Sequence, residues 1–186
     1  MEQSGGKWNF YNINALNYYL QTVVPRLENK ELIGAEADLK QYVGEGYFLR
    51  ALEYFYRLRR LGDFPIIKTT LTDNQAVLTE ASKRQPRNEV ARFILSDLDE
   101  AIRLMNNKCR KNPVSAKNAA LLLKSRVALF EATWEKYHAG TALVPNGQGW
   151  PGKQKDYNAS YQFPSGSAEA EIDFFLTEAM DAAAQV

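Results

Sequence analysis

The segment FLRALEYFYRLRRLGDFPII, from Phe48 to Ile67, constrains the fold most, because it specifies a helix that one neighbour cannot cover. Placed at about 100° per residue, Arg50, Glu53, Arg57 and Arg60 fall on one narrow side, and Glu53 precedes Arg57 in the favourable i,i+4 order. That side reads as a solvated, salt-bridged stripe. Tyr47, Phe48, Ala51, Leu52, Tyr54, Phe55, Leu58 and Leu61 fill an apolar arc of roughly 200°, wider than an ordinary surface helix uses. Burial on two sides follows, as for an inner helix in a stacked array of helical hairpins. Ala51 and Phe55 also reproduce the A-x3-F spacing of tetratricopeptide helices. Arg59 projects into the apolar arc near the helix end, within reach of the last carbonyls or of a buried acid. Gly62 and Pro65 stop the helix.

The same period recurs along the chain, and strand alternation hardly occurs. A first helix is expected over about Phe10 to Asn29, with Ile13, Leu16, Leu20, Val23, Val24 and Leu27 on one face and Pro25 as a point of kinking or division. The helix just described should begin near Leu32 and end at Leu61. A polar connection, Lys68 to Gln85, leads to a third helix over about Pro86 to Asn107, striped by Val90, Phe93, Ile94, Leu98, Ala101, Ile102 and Met105. The fourth spans about Ser115 to His138, with Ser115 as its cap and Ala119, Leu123, Val127, Phe130 and Trp134 as its ladder. Residues 139–167 are rich in Gly, Pro, Asn, Gln and aromatics, an irregular loop long enough to be functional. A fifth helix covers Ala168 to Val186. The fold class is therefore all-α: one unit over 1–186 of tetratricopeptide-like antiparallel hairpins with a single long loop. Phe48, Leu52, Phe55, Phe93, Ile94, Leu98, Leu123, Val127 and Phe130 are expected to share one core. On the fifth helix Ile172, Phe175, Leu176, Ala179, Ala182 and Ala183 form an apolar face expected to lack a neighbour, so self-association or fraying is anticipated there.

Composition removes several functions. Lys and Arg number 23 against 22 Asp and Glu, a net charge of +1, whereas phosphate-binding surfaces show a basic excess, so nucleic acid is disfavoured. No apolar run approaches the ~20 residues of a membrane-spanning helix, and MEQSGGKWNF lacks the character of a signal peptide. Cys109 and His138 make an isolated thiol and base with no oxyanion signature, and Glu89, Asp97, Asp99 and Glu100 read as the solvated face of a helix. Metal-ligand spacings are absent, and no cofactor motif occurs. The chain is read as non-catalytic.

Three ordered blocks resemble the SusD/RagB family. The first carries Phe48, Leu49, Arg50, Ala51, Tyr54, Phe55, Arg59, Gly62, Asp63 and Pro65 of the family's signature helix. The second, RQPRNEVARFILSDLDEAIRLM, matches at Arg84, Glu89, Val90, Ile94, Asp97, Leu98 and Ala101. The third, PVSAKNAALLLKSRVALFEATWEKYH, matches at Lys117, Ala119, Ala120, Leu123, Lys124, Arg126, Val127, Leu129, Thr133 and Trp134. Asn118, Arg57 and Leu61 depart from the family pattern, which favours glycine, leucine and tyrosine there. The resemblance implies a lipid-anchored, non-enzymatic protein on the outer face of the Bacteroidetes outer membrane. Such a protein binds an oligosaccharide or related nutrient and caps a TonB-dependent SusC-like transporter, its helices serving mainly as the scaffold that contacts the transporter. It also implies a longer parent, of which this chain is an N-terminal-half fragment, so that ligand binding by the chain alone should be weak or absent. The competing reading is an intracellular tetratricopeptide scaffold that holds peptides in a concave groove.

A sugar site needs an aromatic face against pyranose C–H groups and amides or carboxylates for the hydroxyls. The loop supplies Trp150, Tyr157, Tyr161 and Phe163 beside Asn146, Gln148, Asp156, Asn158 and Gln162. Trp150, Tyr157, Asn158 and Tyr161 are the candidate ligand-binding residues. The alternative role for these aromatics is to pin the loop onto the helices, and Trp134 reads as core.

Overall fold

Hairpin stacking is dictated by the apolar stripes, and the computed structural model, which describes residues 8–106 and 116–186, realises it with six α-helices among those residues. They are α1 (Tyr11–Glu28), α2 (Glu36–Leu61), α3 (Gln75–Ala81), α4 (Arg87–Leu104), α5 (Ala116–Tyr137) and α6 (Ala168–Ala184). Two 3-10 turns, Pro151–Gln154 and Asp156–Asn158, lie in the long loop. The described residues contain no strand, only an isolated antiparallel bridge between Phe64 and Gln85. The class is all-α.

Side-chain pairings fix the helix directions. Asn12 bonds Glu53 and Asn17 bonds Arg50, so α1 runs antiparallel to α2. Arg50 meets Asp97 mid-helix while Gly44 sits against Leu104 and Met105, which orients α4 against α2. Arg87 with Glu131, and Lys124 with both Asp99 and Glu178, reverse α5 against α4 and α6 against α5. Two glycines permit the close approach. A Cβ on Gly44 would lie 2.6 Å from Met105 Cγ, and one on Gly46 2.6 Å from the Tyr19 ring.

The main core joins Ile13, Ala51, Tyr54, Phe55, Leu58, Phe93, Ile94, Leu98, Val127 and Phe175. Phe48, Leu123 and Phe130 pack against it half-buried. Leu52 is half-exposed and lies outside that cluster. Tyr54 Oη donates to the Ile67 carbonyl at 3.0 Å and accepts from the Ile67 N–H at 2.8 Å, which ties the chain after the Gly-Asp-Phe-Pro turn back to α2.

Several expectations are corrected. Arg50 is not on a solvated face. It is buried, donates to Asp97 through Nε and Nη2 at 2.7 and 2.8 Å, and reaches Asn17 Oδ1 at 3.0 Å. Asp97 is buried for the same reason, so neither belongs to a surface stripe. Of the rest of that stripe, Glu53 and Arg57 form a polar seam covered by Asn12 of α1 and by Asn9 just before it, while Arg60 is exposed as read. Arg59, expected in the apolar arc, is exposed with its guanidinium 5.6 Å from the Phe55 ring centre. α2 begins at Glu36, because Gly34 and the extended Ala35 precede it and Glu36 and Asp38 suit the first turn. The polar connection contains α3, whose amides Ala76 and Val77 are capped by Asn74 Oδ1. Pro25 does not divide α1, since it lies in the last turn. The α6 face has a neighbour: Phe175, Ala179 and Ala182 are buried, in the groove beside α5 where Lys124 and Glu178 pair, while Ile172 and Leu176 are half-buried and Ala183 is exposed. Ser167 Oγ caps α6 through the Ala170 N–H. Trp134 is half-buried. Cys109 and the proposed Ser115 cap lie outside the described residues.

Candidate functional site

A 29-residue irregular loop can hold one shape only if its backbone and side chains find partners on the rigid helices. Residues 139–167 do so at several points. Trp134 Nε1 donates to the Leu143 carbonyl at 3.1 Å where α5 ends. Trp150 is buried, and its Nε1 donates to Asp63 Oδ2 at 2.7 Å. Asn158 is buried and donates to the Arg84 carbonyl at 3.2 Å. Tyr161 Oη donates to Asn88 Oδ1 at 2.8 Å, and Asn146 Nδ2 to the Tyr161 carbonyl at 3.2 Å. At the far end Arg92 donates to Ser165 Oγ at 2.7 Å. The Trp150, Tyr161 and Phe163 rings follow one another at centroid spacings of 5.7 Å.

The four candidate residues therefore divide by environment. Trp150, Asn158 and Tyr161 hold the loop against the turn after α2, the segment before α4, and α4. Tyr157 is 41 % exposed, with Lys83 Nζ 5.5 Å from its ring centre. Tyr157 and Asn158 line a cleft of about 350 Å³ with Asp63, Ser82, Arg84, Pro151, Gly152 and Lys155. Trp150 stands behind it through Asp63. Tyr161 lies in the network below, outside the lining. Asn146, Gln148, Asp156 and Gln162 are exposed on the loop and also lie outside the lining.

Asp63 is the hinge of this arrangement. Its Oδ1 accepts from the Arg87 N–H at 3.0 Å, at the start of α4, and its Oδ2 takes the Trp150 indole. Burial pushes its carboxyl above the ordinary range, and these donors oppose the shift. Asp63 and Arg84 were legible as motif residues but not as cleft residues, since only the folded loop brings them beside Tyr157. Ser82 and Lys155 carry no sequence signal at all.

Beneath the loop lies a layer of buried charge. Arg87 donates to Glu131 at 2.7 and 2.8 Å, and Arg92 to Glu171 at the same two distances. Asn88 and the Ser165 N–H also donate to Glu171, whose carboxyl is held below its ordinary value by these donors against its burial. Glu135 differs: it is 3 % exposed, and neither carboxyl oxygen has a hydrogen-bond partner among the described residues. Burial, with Glu131 and Glu171 nearby, pushes it up to about 9. His138 Nδ1 lies 2.9 Å from the Trp134 carbonyl with its ring stacked on that indole, a C-terminal helix contact. No group of three or more His, Cys, Asp or Glu among the described residues is placed to hold a metal ion.

A SusD-like family model, described as starch-binding and associating with the outer membrane, matches residues 5–129. A SusD-like protein from Bacteroides fragilis is 29% identical over 62% of this chain and 23% of its own, with a TM-score of 0.49. A SusD-like carbohydrate binding protein from Bacteroides vulgatus is 19% identical over 70% of this chain and 28% of its own, with a TM-score of 0.50, a likeness of fold. A further structure, solved with xylogluco-oligosaccharide, is 26% identical over 68% of this chain and 24% of its own, with a TM-score of 0.48. The matched region thus spans under a third of each of these structures' length. No match was found among curated proteins.

Proposed function

The chain belongs to the SusD-like family, and from that premise we propose that it serves in non-catalytic capture of an oligosaccharide or related nutrient at the cell surface. In this reading the parent is lipid-anchored on the outer face of the outer membrane, the helices are the scaffold that contacts a TonB-dependent SusC-like transporter, and the loop contributes to the sugar surface. The observation that carries it is the ring of Tyr157, left open at the mouth of a cleft whose walls are pinned from behind by Trp150 and Asn158. An exposed aromatic face on a rigid support suits the apolar face of a pyranose. Asp97, Glu131 and Glu171 are each committed to an arginine rather than poised as an acid and base pair, which suits a non-catalytic role for those three.

Saturation-transfer NMR with starch, xyloglucan and pectin oligosaccharides tests the reading at the millimolar affinities that one open cleft is expected to give. Signal from at least one glycan, lost in Tyr157→Ala, is expected. Binding to none, or binding indifferent to Tyr157→Ala, removes the site.

A further inference from the structure

The cleft beside Tyr157 carries more positive charge than a site for neutral sugar requires. Arg84 and Lys155 line it, both exposed, and neither has a carboxylate within ion-pair distance among the described residues. The other lysines around the loop are occupied: Lys83 pairs with Glu80 at 2.6 Å, and Lys153 donates to the Ala159 carbonyl at 2.8 Å. Arg84 is also held in place, its guanidinium 4.6 Å from the Trp8 ring centre, so its planar fork is oriented before a ligand arrives. The single acid of the lining is Asp63, and both of its oxygens already accept hydrogen bonds, from the Trp150 indole and the Arg87 N–H. Its carboxylate feels the Arg84 charge, but no Arg84 nitrogen lies within ion-pair distance of it, so the guanidinium keeps its donors for a ligand.

On the reading that this cleft binds sugar, we infer that it selects an acidic saccharide. The ligand's carboxylate or sulfate meets Arg84 and Lys155 while its ring lies on Tyr157. Neutral saccharides gain the ring contact and ordinary hydroxyl hydrogen bonds from the lining but no charge-assisted pair. An Arg fork to an anionic group forms two parallel charge-assisted hydrogen bonds, which makes Arg84 the selecting residue and Lys155 the supporting point charge.

The test is a chemical-shift titration of the chain with tetragalacturonate, with a sulfated galactan tetramer and with neutral galactotetraose. At least one acidic tetramer is expected to bind at least tenfold more tightly than the neutral one, with its affinity falling as NaCl rises from about 50 to 500 mM, since exposed ion pairs are screened over that range. Arg84→Gln is expected to weaken the acidic tetramer about tenfold more than the neutral one. Lys155→Gln should do the same more weakly, and because both residues are exposed neither change threatens the fold. Neutral and acidic tetramers binding alike, or Arg84→Gln acting equally on both, overturns the selection for acid while leaving sugar binding in place. Binding of none of the three overturns the cleft as a sugar site and the inference with it.

Discussion

Glu135 is a carboxyl that the fold buries without giving it a hydrogen-bond donor, next to Glu131 and Glu171, which have theirs. Its folded-state value is raised to about 9, whereas in the unfolded chain it titrates at the ordinary carboxylate range. The folded state therefore holds a proton that the unfolded state releases, and this group's contribution to stability, complete below the ordinary value, is lost as pH rises toward 9. Glu135→Gln keeps the shape without the proton. It should raise stability by roughly 1 to 3 kcal/mol at pH 8 and by almost nothing near pH 4.5, read from urea unfolding at several pH values; a gap independent of pH would contradict a neutral Glu135. Arg50 with Asp97 is the opposite case, a satisfied buried pair. Asp97→Ala should cost about 3 to 5 kcal/mol by stranding the guanidinium, while Arg50→Met with Asp97→Leu together should recover most of it. Neither residue was legible as buried. A helical wheel sorts side chains by type, and an arginine on the polar side of a wheel looks the same whether water or an aspartate 47 residues away receives it.

Among elements, legibility followed the strength of the apolar stripe. α4 and α5 carry unbroken ladders: α4 begins one residue after its expected start and ends three residues before its expected end, and α5 ends one residue before His138. α6 begins at Ala168 as read, where Ser167 Oγ accepts from the Ala170 N–H as its cap. α3 was invisible: it is seven residues long and none of them is buried, so no periodic face betrays it. The wide arc of α2 was read correctly as two-sided burial, with α1 and α4 as the two neighbours. Phe55 lies at the centre of that packing, 4 % exposed and edge-on to Phe130 of α5 at 5.6 Å. Phe55→Ala should cost about 3 to 5 kcal/mol in chemical denaturation. A loss under 1 kcal/mol would mean that the Phe55 ring is not buried against Phe130 and the core.

Across the whole molecule α4 is the shared partner. It sends Arg87 to α5 and Arg92 to α6, and takes Arg50 from α2, so three bidentate pairs tie four helices through one. The long loop lies over the N-terminal end of this hub and reports its position through Asp63, which links the turn after α2 to both the start of α4 and Trp150. The cleft is thus a property of the assembled bundle rather than of any segment, which is why the sequence offered the loop's aromatics but not the wall they complete. Trp150→Phe keeps the buried ring and removes only the indole donor, leaving Asp63 Oδ2 without that partner. The cost should be about 0.5 to 1.5 kcal/mol, the net worth of one hydrogen bond to a half-buried carboxylate. The loss should also be local. Hydrogen exchange of amides at 150–163 should accelerate, while those of α2 and α4 keep their protection, because the three arginine pairs and the main core are untouched. Glycan signals at Tyr157 should weaken in parallel, since the ring's support is what moves. Uniform acceleration through α2 and α4 would show instead that the loop is part of the bundle's cooperative core, and unchanged exchange at 150–163 would show that the Trp150 to Asp63 bond does not hold the cleft.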